Sequence, residues 1–290
     1  MTTSTQNGIS GLRYDTFISA PIPVATTDRV PNGDRRMFSP MTATLISGDR
    51  DAVLVDPPMT IEQTQAVGDW IERSGRNLTH IYLTHGHGDH WFGTAPLLRR
   101  FPGATAFATP GTIAMMRVHG SEQLRSAIWD AQFPGQIPDS PVLATTPSDN
   151  RFTLEGHELI ALEVGHTDTD DTTVLHVPDL GLVVAGDVIY NNVHQYLREA
   201  QGEGIHHWFE AIDEVAALDP RYVVSGHKDG TRADDPVNIE LTRQYLLDAE
   251  RLLAKGPTAL EFFDSMIALY PERLNPGALW SGATALLPSS

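Results

Sequence analysis

The stretch Leu83-Thr84-His85-Gly86-His87-Gly88-Asp89-His90 decides how this chain reads. His85, His87, Asp89 and His90 can all ligate a cation, and they fall within six residues straight after an apolar strand. The strand end fixes the backbone, and Gly86 and Gly88 let it curl so that these side chains converge. Neutral imidazole is a good zinc ligand and carboxylate suits the same metal. Without a cation, gathering four such groups in one desolvated space would be costly.

Working outward, three later stretches repeat the order of apolar strand, glycine, ligand. They are Leu162-Glu163-Val164-Gly165-His166, Val183-Val184-Ala185-Gly186-Asp187 and Val223-Val224-Ser225-Gly226-His227. A sheet edge where several strands stop is where ligands far apart in sequence can meet.

The remaining pattern supplies those sheets. Met41–Ser47, Ala52–Val55, Leu78–Leu83 and Thr105–Ala108 read as strands, with helices over Ile61–Arg73, Trp91–Arg100 and Pro110–Trp129. A Pro-, Gly-, Ser- and Asp-rich loop over 132–150 separates this batch from strands at Arg151–Leu154, Glu158–Val164, Thr172–Val177, Leu182–Ala185 and Tyr222–Ser225. Trp208–Leu218 reads as a helix, and from Val237 onward the pattern is helical with breaks at Gly256-Pro257, Pro271 and Pro276-Gly277. Two similar halves, with sheets packed on each other and helices outside, are expected. Residues 1–12 read as a flexible tail, 13–236 as the main α/β domain with a lid-like insertion over about 109–150, and 237–290 as helices packed on that domain.

Composition narrows the function. The 290 residues carry a net charge of −17, which disfavours nucleic acid and anionic membrane as partners. With no cysteine, disulfides, thiolate nucleophiles, Cys-ligated zinc and iron–sulfur clusters are excluded. The start, MTTSTQNGIS, has no apolar signal core, and a soluble cytoplasmic protein acting on a small molecule is the expectation.

The HxHxDH signature and the later His, Asp and His resemble the metallo-β-lactamase-fold hydrolases, in their glyoxalase II and lactonase-like branch, over roughly residues 40–230. The resemblance implies an αββα four-layer sandwich, here with a C-terminal helical extension. It also implies two zinc ions, with manganese or iron as alternatives. His85, His87 and His166 would hold the first, Asp89, His90 and His227 the second, and Asp187 would bridge them. Two such ions activate a shared water, so hydrolysis of an ester, lactone or thioester is the implied activity, with Asp89 and Tyr190 as catalytic residues. Asp56 and Thr84 would steady the histidine loop, although Asp56 also reads as a turn residue before Pro57-Pro58.

The missing cysteine disfavours two β-lactamase subclasses, and Asp187 disfavours the third. His87 disfavours the flavodiiron proteins, and the charge disfavours the nucleases. Mononuclear iron persulfide dioxygenases share enough ligands to stay as the alternative. β-Lactamase-like amide hydrolysis and a non-catalytic binding protein are weaker ones. Tyr190 matches in offset a tyrosine that acyl-homoserine lactonases place by the substrate carbonyl, and could donate to a developing oxyanion. His194, Trp129 and Phe133 are further candidates for substrate contact. Asp168 and Asp170 read as a charged turn, and Asp171-Thr172-Thr173 as a brace for His166. The aromatic C-terminal helices would cover the pocket or form a homodimer interface.

Overall fold

The computed structural model describes residues 2–7 and 11–288. Its first sheet runs β1 (Thr2–Asn7), β2 (Arg13–Ser19), β5 (Met41–Ser47), β6 (Asp51–Val55), β7 (Asn77–Tyr82) and β8 (Thr105–Phe107), in that spatial order. A small ribbon of β3 (Ile22–Pro23) and β4 (Met37–Phe38) stands apart. Helices α1 (Ile61–Ser74), α2 (Thr94–Arg100), α3 (Pro110–His119) and α4 (Glu122–Leu124) belong to this half. The second sheet has β9 (Arg151–Leu154), β10 (His157–Gly165), β11 (Thr172–Val177), β12 (Leu182–Gly186) and β13 (Tyr222–Ser225), in the spatial order β13-β12-β11-β10-β9. Helix α5 (Gly204–Ala217) precedes β13, and α6 (Val237–Leu253), α7 (Ala259–Leu269) and α8 (Pro276–Leu286) follow it.

Strand alternation places each apolar side chain in one of three layers. Val53 and Val55 point between the sheets, where they meet Leu175, Leu182, Val184 and Val224. Their neighbours Ala52 and Leu54 point the other way, onto Val67 and Ile71 of α1. In the second sheet Val183 and Ala185 face Trp208 and Ile212 of α5, Tyr245 of α6 and Phe262 of α7. The result is the αββα sandwich, with both outer helical layers fed by the same strands that fill the centre. The C-terminal helices share the second sheet's outer core.

Local signals explain where elements begin and end. Thr60 and Gln63 form a capping box at the start of α1, and Gly75 closes the helix in the left-handed conformation. The single helix expected over 110–129 breaks at Gly120-Ser121, where the Ser121 side chain caps the next turn. The tail expected over 1–12 is corrected in part. Thr2–Asn7 pairs antiparallel with β2, whose edge would otherwise leave backbone groups unpaired, while Met1 and residues 8–10 lie outside the described residues. No helix among the described residues is long and apolar enough to cross a membrane.

The two sheets are tied together at one edge. Thr173 donates through both its backbone N–H (2.9 Å) and its hydroxyl (2.7 Å) to the Thr84 carbonyl, and Thr42 N–H donates to the Gly226 carbonyl at 2.8 Å. β6 and β7 run parallel, as do β12 and β13, so their C-terminal ends open at this edge.

Candidate metal centre

Six of the seven expected ligands meet at that edge. His85, His87, Asp89 and His90 follow β7, Asp187 follows β12 and His227 follows β13. A Cβ on Gly226 would lie 2.5 Å from Asp187 Oδ1 and 2.6 Å from His90 Cε1, so only glycine lets β13 deliver His227 this close. Gly186 has φ +49°, and a Cβ there would meet the Thr84 hydroxyl at 2.5 Å.

Two groups form. Asp89, His90 and His227 make one, and the Nε2 atoms of His90 and His227 each lie 3.4 Å from Asp89 Oδ2. Asp187 reaches the same imidazoles, with Oδ1 3.3 Å from His90 Nε2 and Oδ2 3.2 Å from His227 Nε2, and it also groups with His85 and His90. The other group is His85, His87 and Asp168. Asp168 Oδ2 lies 2.8 Å from His87 Nδ1 and 3.8 Å from His85 Nε2.

The outer nitrogen of each imidazole is occupied, and this fixes which lone pair turns inward. His90 Nδ1–H donates to Asp56 Oδ2 (2.9 Å) and His227 Nδ1–H to the Pro40 carbonyl (2.9 Å). The Thr84 hydroxyl spends its proton on Asp56 (2.7 Å), so it accepts from His85 Nδ1–H at 3.0 Å. His87 Nε2–H donates to Glu199 Oε1 at 3.2 Å. Asp56 also accepts from Thr84 N–H (2.9 Å) and holds a left-handed backbone at φ 54°. Asp56 and Thr84 thus hydrogen-bond directly to His90 and His85.

Inside the cluster four polar atoms lack a hydrogen-bond partner. His85 Nε2, His90 Nε2, Asp168 Oδ2 and Asp187 Oδ1 are all buried and unsatisfied. Most buried polar atoms find a partner, and four without one converging here fit cations seated among them. Electrostatics agree. Burial opposes charge on His227, yet Asp187 and Asp89 draw its pKa up to about 10. Burial likewise opposes charge on Asp89 and Asp187, and the imidazoles still hold both carboxyls well below the usual range. Burial pushes His85 down to about 3. Three carboxylates in a dry site call for positive charge.

His166, the seventh expected ligand, stands apart from these groups. Its Nδ1 bonds the Asp170 carboxylate at 2.7 Å, and its Nε2 lies over Gly204, 3.0 Å from where a Cβ would sit. It joins none of the groups, although its Nε2 is also buried without a hydrogen-bond partner. The register of β10 on β11 shifts between Glu163 and Gly165, and Gly165 turns at φ +84°. The chain thereby carries the His166 ring towards α5 and brings Asp168 inward two residues later. Thr167 Oγ1 donates to Asp168 Oδ1 at 3.0 Å, which leaves Oδ2 for the cluster. Asp168 is fully buried, so it is no charged surface turn. Its flanking by Thr167 and Thr169 is the one local signal that could have singled it out. Thr173 steadies the histidine loop through Thr84 rather than bracing His166.

A cavity of about 450 Å³ opens onto the cluster. Its apolar wall includes Val24, Phe38, Ile128 and Trp129, and Arg36, Gln132 and Arg198 also line it. Tyr190 and His194 line it too, as expected, but the Tyr190 hydroxyl donates to Asp187 Oδ2 at 2.8 Å, so its proton holds the shared carboxylate. Phe133 is corrected. It is fully buried, packs edge-on against Phe38 at 5.5 Å and lies behind the wall, because the turn at Trp129 presents only one face of that segment. Glu199 and His119 also line the cavity and group with His87, and no local pattern in the sequence marks them.

Comparison with known proteins places the fold and the family. Over 175 residues the chain is 27% identical to a hydroxyacylglutathione hydrolase of Parasynechococcus marenigrum (strain WH8102), covering 59% of each protein. Over 155 residues it is 30% identical to the UPF0173 metal-dependent hydrolase Rleg2_1519 of Rhizobium leguminosarum bv. trifolii (strain WSM2304), covering 47% of this chain and 65% of that one. The chain thus spans less than two thirds of the length of either relative. Among solved structures it resembles a metallo-beta-lactamase family protein from Thermus thermophilus, with TM-score 0.61, 19% identity, and coverage of 96% of this chain and 92% of that one. It also resembles the metallo-beta-lactamase FIM-1 from Pseudomonas aeruginosa, with TM-score 0.58, 18% identity, and coverage of 86% and 96%. At these identities the likeness speaks for the fold. The model of the metallo-beta-lactamase superfamily matches residues 38–227, running from the cavity wall at Phe38 to the last imidazole of the cluster, and the chain belongs to that superfamily.

Proposed function

We propose that this protein is a metal-dependent hydrolase that cleaves an ester, lactone or thioester of a small, largely apolar molecule. The observation that carries the reading is the set of four buried, unsatisfied atoms on His85, His90, Asp168 and Asp187, aimed at one another beside an open cavity. Two divalent cations, zinc or manganese, would supply an activated water at neutral pH and polarise the carbonyl. His85, His87 and Asp168 would hold one, Asp89, His90 and His227 the other, with Asp187 shared. The protein's own part is positioning. Asp56, Thr84, Pro40 and Glu199 orient the imidazoles, Tyr190 orients Asp187, and the Phe38–Trp129 wall excludes water around the acyl group. The cavity falls within the usual range for small-molecule sites. The relative named hydroxyacylglutathione hydrolase supports a thioester among the candidates.

The test is a hydrolysis screen of lactones, thioesters and aryl esters with zinc- and manganese-loaded protein. Turnover of at least one class that stops on chelation is expected. Fully loaded protein that turns over none of them would sink the reading. A second reading, a mononuclear iron dioxygenase of persulfides, is favoured by one feature. His85, His87 and Asp168 form a two-histidine, one-carboxylate group of the kind that suits ferrous iron. The complete second group weighs for hydrolysis, and one iron per chain with oxygen uptake would reverse that order.

A further inference from the structure

Tyr190 has committed its proton to Asp187, so the cavity needs another donor for an oxygen that gains charge during acyl transfer. His194 is placed for this. It is fully buried, lines the same cavity as Tyr190, Asp187 and His227, and its Nε2 has no partner. Its Nδ1 lies 3.0 Å from the Tyr245 hydroxyl. With the Tyr245 proton turned towards the ring, Nδ1 is an acceptor. A neutral imidazole that accepts at Nδ1 carries its proton on Nε2.

The ring is also held still. Its backbone N–H donates to the Leu274 carbonyl at 2.9 Å. Arg273 stacks on Tyr245 at 4.5 Å and on Tyr270 at 4.9 Å, while its guanidinium donates to the Val193 and Leu241 carbonyls at 2.9 and 3.0 Å. Burial first, and the Arg273 charge second, push His194 down to about 3, so the ring stays neutral. Tyr245, Arg273 and Leu274 all lie beyond residue 227, outside the stretch matched by the superfamily model. A buried donor without an acceptor is costly in a core, but on a cavity wall a ligand oxygen can satisfy it.

We propose that His194 donates its Nε2–H to the carbonyl or leaving-group oxygen of the substrate, and that the C-terminal segment fixes this tautomer through Tyr245. The inference rests on the hydrolase reading for its kinetic arm but not for its tautomer. The experiment uses full-length, metal-loaded protein labelled with 15N-histidine, with the His194 signals assigned by their loss in H194Q. Long-range 15N–1H correlations should show the proton on Nε2 and a bare Nδ1. In the kinetic arm, with the best substrate from the screen, H194A should lower kcat about 10²-fold with unchanged metal content. H194Q, which returns an N–H near the same place, should recover most of that loss. A proton on Nδ1, or H194A keeping kcat within about threefold of the wild type, would overturn the proposal. Were the wild type to turn over no ester, lactone or thioester, the hydrolase reading would fall, and the tautomer would still decide whether His194 is a donor.

Discussion

Asp187 groups with one imidazole from each of the two sets, His85 and His90, but the sets are held differently. In the group of Asp89, His90 and His227, the ligands stand on a short turn after β7 and at the end of β13. Their outer nitrogens are locked by a buried carboxylate, Asp56, and a backbone carbonyl, Pro40. In the group of His85, His87 and Asp168, the carboxylate stands in the loop between β10 and β11, and the outer nitrogen of His87 bonds to Glu199 on the cavity wall. One group is held by the sandwich and the other is partly held by the wall of the cavity. Both groups contribute residues to the cavity lining, and the group that contains Asp168 is where this chain departs from the pattern that its HxHxDH stretch implies.

The hardest blow to both groups is Asp187→Ala. The shared carboxylate lost, metal content should fall from about two per chain to well under one, and turnover by about a thousandfold or more. Elemental analysis beside steady-state rates checks this. If metal stays bound at full occupancy, Asp187 is not shared and the two groups are independent.

The next pair separates the groups. Asp168→Ala should cost one metal equivalent and about 10²-fold in turnover, while His166→Ala should retain both metals and most of the activity. Should His166→Ala be the variant that loses metal, the loop rearranges on loading and the first group closes with an imidazole instead.

That pair also marks where the sequence stops being legible. The sandwich is readable because alternating strands such as Val53–Val55 and Val183–Ala185 have one packing solution each once helices must cover both outer faces. Asp187 and His227 are readable because an apolar strand followed by glycine sets their direction. His166 obeys the same grammar and still turns away, because a register shift in β10 and the positive φ of Gly165 rotate the chain by a residue pair. Such a shift is fixed by pairing with β11, which no local pattern encodes. Glu199, His119 and the Tyr245–His194 contact are set by packing between distant elements and leave no trace in spacing.

The two braces should differ in weight. Asp56 is 2% exposed and accepts three hydrogen bonds, from Thr84 N–H, the Thr84 hydroxyl and His90 Nδ1–H. In Asp56→Asn the amide cannot accept all three, and one buried donor is left without a partner. Metal affinity measured by competition with a chromophoric chelator should weaken by about 10- to 100-fold, with the second group emptying first. Equal loss from both groups would mean that Asp56 holds the whole loop rather than His90.

The smallest effect belongs to Glu199→Gln. Burial would raise the Glu199 carboxyl, but its hydrogen bond to His87 and the His87 charge hold it below the usual range. Its side chain is 37% exposed, so solvent screens the contact and water can replace it. The glutamine still offers a carbonyl oxygen to His87 Nε2–H, and only the charge is lost. A two- to fivefold drop in affinity at the first group is therefore expected, on the order of a single exposed pair, and it should shrink further in high salt. A loss matching that of Asp56→Asn would show that the wall holds its metal as firmly as the sandwich does, and the difference drawn between the two groups would disappear.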